Sequence, residues 1–202
     1  MSYQYYALKP WWRIRAKAVV SSISGRELRH TQVQAHWLAW LQQQPPTVVV
    51  ALYAPLPTEV PLLETTLACL PATQVLLPRI PARGQAPQHL TWHAYADISA
   101  WHSPYGAKHP YRQPVANTPP WQGQLPDVCL IPCPLLDDTG IRLGHGGGWY
   151  DRQLAYWQAT YGRLPLCMGV GLAKQRVRRL PAQPHDQPLH AWLDETGVTP
   201  LG

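Results

Sequence analysis

Two hydrophobic periods alternate along the chain. Over residues 9–43 apolar positions recur at three- and four-residue spacing, which predicts helix, and the stretch SSISG at 21–25 divides it in two. Ser24 followed by Glu27 has the spacing of a capping box for the second helix. The run TVVVALYAP at 47–55 is β-branched, apolar and stopped by proline, so it reads as a buried strand. TEVPLLETTLACL at 58–70 predicts a helix, with Thr58 as its N-cap and Pro61 in its first turn. QVLLPRI (74–80), HLTWHAY (89–95), DVCLIP (127–132) and LCMGVGL (166–172) read as further strands, and HAWLDETG (190–197) as a last one. A helical period runs from about 149 to 161.

Residues 96–126 carry Pro, Gln and His without a period, as a long loop with some short structure does when it covers a substrate. No internal repeat and no second domain is visible, so residues 1–202 are read as a single domain. Alternation of strand and helix predicts an α/β fold with a largely parallel sheet flanked by helices and with sites at the strand C-termini.

Composition narrows the partners. The formal net charge is +6 and the isoelectric point is near 9.3, which favours an anionic partner: nucleotide, polyglutamate, nucleic acid or membrane surface. Only 14% of residues are charged, against 46% hydrophobic, so this is a chain with a core and not a basic disordered tail. The opening MSYQYYALKPWWRIRAK has no apolar signal core and no later run is long enough to span a membrane, which makes the cytosol the expected compartment. Cys69, Cys129, Cys133 and Cys167 do not form CxxC pairs and read as structural thiols.

The chemistry is concentrated in GIRLGHGGGWYDRQLAYW, residues 140–157. Glycines at 144, 146, 147 and 148 run directly into a helix, where unpaired N–H groups and the helix dipole favour an anion. The run is not a Walker A loop, since no Lys-Ser or Lys-Thr follows. The dinucleotide fingerprint begins at Gly144-His145-Gly146 but meets Trp149 where a small residue belongs. A bare glycine turn and an anion site stand about level on composition; Arg142, Asp151 and Arg152 beside the loop favour a metal–nucleotide site.

DDTGIRLGHGGGWYDRQL (137–154) resembles the signature of 5-formyltetrahydrofolate cyclo-ligases, the methenyltetrahydrofolate synthetases. Other landmarks of that family recur in order: Lys9-Pro-Trp-Trp-Arg13, LYAPLPTEV with Glu59, LPRI at 77–80, and KQRVRRLPAQPHDQPL at 174–189. The chain departs from the family at Pro132-Cys133, where Pro-Gly is common, at His145, where Arg or Tyr is common, and at Pro10 beside the lysine.

The resemblance implies a single Rossmann-like three-layer domain that consumes ATP and 5-formyltetrahydrofolate, with or without a polyglutamate tail, and uses Mg²⁺. It implies ATP contacts from Lys9, Arg13, Arg142, Leu143, Gly144, His145, Gly146, Gly147, Gly148, Trp149 and Tyr150. Folate contacts would come from Ala54, Glu59, His145, Gly146, Gly147, Gly148 and Trp149, and magnesium ligands from Asp151 and Asp186. Arg142 and Asp151 would be the catalytic pair, in a monomer that binds neither nucleic acid nor membrane. Each residue also has a plainer reading. Asp151 and Glu59 suit the first turn of a helix, Asp186 suits a turn, and Lys9 with Arg13 suits a solvated helix face. His145 and His185 are read as surface or hydrogen-bonded histidines, and Arg176, Arg178 and Arg179 as a basic rim for a polyglutamate tail or a solvated face. Two other functions compete: a nucleotide- or folate-binding protein of the same fold without turnover, and a lipid or nucleic-acid surface made by KPWWRIRAK and RVRR.

Overall fold

The computed structural model describes residues 8–82, 84 and 87–201. Two helices open it, α1 (Lys9–Ser21) and α2 (Arg26–Leu41), separated where the sequence predicts a break. The Ser24–Glu27 capping box does not form: Gly25, left-handed at φ 61°, precedes the first turn of α2 and no side chain caps it.

Seven strands make the central sheet: β1 (Val50–Ala51), β2 (Val75–Arg79), β3 (Thr91–Ala94), β6 (Val128–Pro132), β9 (Leu166–Val170), β11 (Ala191–Asp194) and β12 (Gly197–Pro200). Their order across the sheet is β12–β11–β9–β6–β1–β2–β3. All neighbours are parallel except the edge strands β3 and β12. The single final strand expected over 190–197 is therefore a hairpin of β11 and β12. Side chains alternate between the faces, and both faces are covered. Val50, Leu52, Leu77, Leu130 and Met168 pack with Val33, Trp37 and Leu41 of α2. The intervening Ala51, Leu76, Cys129, Ile131 and Cys167 pack with Leu154 and Trp157 of the helix expected at about 149–161, which is α4 (Trp149–Tyr161). Burial pushes the Cys133 and Cys167 thiols up to about 12, so they remain protonated core filling.

Between β1 and β2 the helix expected over 58–70 shrinks to α3 (Leu63–Leu67). Pro61 disfavours helical backbone at Val60, and the preceding residues fold instead as a turn. That turn is held by the Tyr53 hydroxyl donating to Val60 O at 2.7 Å and by the Leu56 amide donating to Glu59 Oε2 at 2.8 Å. Within 96–126 lies a ribbon of β4 (Trp101–His102) and β5 (Gln113–Pro114), anchored where the Ile80 amide donates to Gln113 Oε1 at 3.0 Å.

A small second sheet was not legible, because β7 (Leu135–Asp137), β8 (Arg142–Leu143) and β10 (Arg176–Val177) are too short to show a period. Its order is β10–β7–β8. α1 lies on it through Ala16, which joins Leu135, Leu143 and Leu180 in a separate apolar cluster. Chain order reverses across the main sheet between β1 and β6, and at such a reversal a crevice opens beyond the strands' C-terminal ends. Among the described residues no helix is long and apolar enough to cross a membrane.

Candidate active site

A cavity of about 450 Å³ occupies that crevice. Tyr53 and Ala54 enter it from the end of β1, Pro78 and Ile80 from β2, and Pro132 from β6. The facing wall is the glycine loop: Gly144, His145, Gly146, Gly147 and Gly148, then Trp149, Tyr150 and Asp151, with Arg142 at its base. Ala54 and Glu59 line the same cavity, so the loop residues assigned to the nucleotide share one space with those assigned to folate. Leu143 does not line it; its side chain is buried against Ala16 and Leu135, which leaves only its backbone to meet a ligand.

The loop is held in shape from beneath. Asp137 is fully buried; its Oδ1 accepts from the Thr139 amide, the Thr139 hydroxyl and the Ile141 amide, and its Oδ2 from the Leu180 amide at 2.8 Å. This closes the turn between β7 and β8 and delivers Arg142 to the floor of the crevice. Beyond β8 the backbone needs glycine at two points: Gly146 has φ 101° and Gly148, at the entry to α4, has φ 64°. At Gly146 a Cβ would stand 3.3 Å from the guanidinium carbon of Arg13, whose Nε donates to Gly144 O at 3.3 Å. No side chain caps α4, so the orphan amides of its first turn and the dipole's positive end face the crevice.

Two cation–carboxylate pairs flank the loop. Arg142, 8% exposed, donates from Nη2 to Asp151 Oδ1 at 2.5 Å and from Nη1 to Gln187 O at 2.8 Å. Lys9 Nζ lies 2.8 Å from both oxygens of Asp186 and 3.0 Å from Gln183 Oε1. One turn apart on α1, Lys9 thus reaches the 183–187 turn and Arg13 reaches the glycine loop. Lys9, Arg13 and Asp186 do not line the cavity itself.

The opposite end is aromatic. Tyr105, His109 and Tyr111 come from the segment between β4 and β5 and close the cavity with Tyr53 and Tyr150. Burial raises the Tyr53, Tyr111 and Tyr150 phenols, which stay neutral hydrogen-bonding groups in an apolar wall. Sequence reasoning did not name Tyr105, His109 or Tyr111; the only signal was the unperiodic 96–126 stretch read as a covering segment. Glu59 stands between the two ends, with Oε1 3.7 Å from Nε2 of His145.

A divalent ion finds one matching group. Mg²⁺ keeps waters and takes one or two carboxylates with phosphate oxygens. Asp151 lines the cavity, and its Oδ2 meets no protein donor among the described residues. Both oxygens of Asp186 are taken, by Lys9 and by the Gln183 amide at 2.6 Å. Among the described residues no three metal-ligating side chains cluster. Of the two aspartates expected to hold the ion, Asp151 keeps an oxygen without a protein donor among the described residues and Asp186 is already paired.

The model of the 5-formyltetrahydrofolate cyclo-ligase family matches residues 8–195. The chain is 31% identical over 179 residues to a 5-formyltetrahydrofolate cyclo-ligase of Mycolicibacterium smegmatis, covering 82% of each. Its fold is similar to that of a 5,10-methenyltetrahydrofolate synthetase of Aquifex aeolicus (TM-score 0.69, 22% identity, 96% of this chain and 93% of that one). A 5,10-methenyltetrahydrofolate synthetase of Mycoplasma pneumoniae is similar in the same way (TM-score 0.66, 18% identity, 93% and 98%). The chain belongs to the 5-formyltetrahydrofolate cyclo-ligase family of enzymes.

Proposed function

We propose that the chain catalyses ATP-dependent cyclisation of 5-formyltetrahydrofolate to 5,10-methenyltetrahydrofolate, with release of ADP and phosphate. One observation carries the reading: the uncapped N-terminus of α4, with its glycine loop, faces an aromatic cavity that also holds Glu59. A polyanion suits the first and a flat reduced pteridine suits the second.

The formyl group on N5 is an amide, whose oxygen leaves poorly until it is phosphorylated. Transfer of the γ-phosphoryl to that oxygen releases ADP; N10 of the same molecule then attacks the activated carbon and phosphate departs. Substrate supplies both electrophile and nucleophile, so the protein needs no reactive cysteine, in keeping with the buried, protonated thiols of Cys129, Cys133 and Cys167. Its work is alignment and charge stabilisation. Amides of residues 144–148 hold the phosphates, with the Arg13 guanidinium beside Gly146. Arg142 fixes Asp151, and Glu59 meets the folate. Tyr105, His109 and Tyr111 keep water from the transferred phosphoryl. Asp151 would hold Mg²⁺, which would supply neutralisation of the phosphate charge when bound.

The test is a purified reaction with Mg²⁺, ATP and 5-formyltetrahydrofolate. ADP release depends on the folate, and the ultraviolet spectrum changes as N5 and N10 become joined through one carbon in a conjugated cation. Binding of both ligands without folate-dependent ADP release replaces the reading with that of a non-catalytic binding protein.

A further inference from the structure

Arg152, the single Lys or Arg of α4, flanks the glycine loop but has no role in the chemistry proposed above. Its Nε donates to Gln88 O at 2.8 Å and its Nη2 to Gly147 O at 3.0 Å. Its guanidinium carbon lies 4.3 Å from the centre of the Trp149 ring. The Trp149 ring in turn covers Gly147, where a Cβ would stand 2.8 Å from its Cδ1. One turn along the same stripe, Tyr156 stacks on His89 with ring centroids 3.7 Å apart and planes 15° from parallel. The outer face of α4 therefore clasps residues 88 and 89, just before Leu90 enters the cavity wall.

Arg152 makes no ion pair with a carboxylate among the described residues; both of its hydrogen bonds go to backbone carbonyls. A guanidinium used in this way fixes backbone. The carbonyl of Gly147 and the N–H of Gly148 belong to one planar trans peptide and point in opposite directions. With the carbonyl turned to Arg152, the Gly148 N–H points away from it. We propose that Arg152 is a positioning residue for phosphate binding: it sets the Gly147–Gly148 peptide and the Trp149 ring, and through them the anion-binding geometry of the glycine loop. The proposal rests on the nucleotide reading of that loop.

Glycine-selective ¹⁵N labelling reads the loop directly, without any nucleotide. Arg152→Ala is expected to shift and broaden the resonances of Gly146, Gly147 and Gly148, while Gly162 at the far end of α4 keeps its position. In turnover, Arg152→Ala raises the KM for ATP on the order of tenfold with kcat changed less than about threefold, the size of one charge-assisted hydrogen bond. Millimolar guanidinium ion restores part of that loss, and Arg152→Lys, which offers a single donor head, falls between. Tyr156→Ala removes the neighbouring stack and leaves the ATP KM at its wild-type value. Unchanged loop resonances in Arg152→Ala overturn the proposal, as does an unchanged ATP KM in an enzyme whose wild type turns over ATP. Failure of the wild type to bind Mg·ATP overturns the nucleotide reading instead, and the glycine resonances still report whether Arg152 shapes the loop.

Discussion

The two cation–carboxylate pairs beside the crevice look alike in sequence and are built for different work. In Lys9–Asp186 both side chains are nearly buried, 12% and 7% exposed, and every carboxylate oxygen has a protein partner. In Arg142–Asp151 the arginine is buried at 6%, but the aspartate is 24% exposed, faces the cavity and keeps Oδ2 free of protein donors among the described residues. The first pair joins α1 to the 183–187 turn. The second leaves a carboxylate oxygen facing the cavity, with Arg142 as its mount. A saturated carboxylate reads as architecture; one with an oxygen left over reads as chemistry.

Asp151→Asn tests that distinction most severely. It keeps the size and the Arg142 contact while removing the charge from the cavity. We expect kcat to fall on the order of 10²–10³-fold, since a carboxylate-bound metal contributes several kcal/mol to the barrier. The amide oxygen still accepts from Arg142 and position 151 is 24% exposed, so the melting temperature should fall less than in Asp186→Ala. Equal losses of turnover in Asp151→Asn and Asp186→Asn would break the comparison and make the two aspartates a joint metal site.

The Lys9–Asp186 pair is expected to show itself in stability. Asp186→Ala leaves the Lys9 ammonium nearly buried without its counter-charge, at a cost of about 3–5 kcal/mol, or roughly 6–20 °C in melting temperature for a chain of this size. Replacing both, with Lys9→Met and Asp186→Leu, removes the stranded charge and should recover a large part of that loss. Calorimetry of the two single variants and the double variant measures the coupling directly. Independent, additive losses would show that the two groups do not act as a pair.

Neither ion pair was legible as a contact, although all four residues were marked and Arg142 and Asp151 were named together as catalytic. Lys9 and Asp186 are 177 positions apart, and only the docking of α1 on the small sheet joins them. That sheet escaped notice because β7, β8 and β10 are two or three residues long. The main sheet was readable because its strands are buried on both faces and form apolar runs bounded by proline and glycine. α4 was readable from 149 to 161, where glycine entry and helical period agree. The 58–70 helix misled because Pro61 suits the first turn of a helix and equally ends the turn before one. The aromatic wall stayed hidden: Tyr105, His109 and Tyr111 carry no period, and their common direction is a property of the β4–β5 ribbon.

Glu59 sharpens the comparison from the substrate side. It is 14% exposed and lines the cavity with one oxygen bound to the Leu56 amide, so it belongs with Asp151 as a carboxylate aimed inward. Glu59→Gln retains the hydrogen bond to Leu56 and should raise the folate KM about tenfold, the effect of removing one charge-assisted hydrogen bond, with the ATP KM nearly unchanged. A rise in the ATP KM alone would move Glu59 to the nucleotide side.

The smallest effect is expected at His145, whose ring also lies beside a carboxylate. Its Nε2 is 3.7 Å from Glu59 Oε1, longer than in either buried pair, and its side chain is 65% exposed. Solvent screens an interaction of that kind, and holding an exposed ring in place costs entropy that offsets the attraction. His145→Gln should therefore leave the melting temperature within about 2 °C and the folate KM within about threefold of wild type, the range of an exposed pair contributing ~0–1 kcal/mol. A tenfold loss of folate affinity, beyond what an exposed pair can contribute, would mean that His145 touches the substrate itself. The glycine loop would then contribute a side chain as well as its amides.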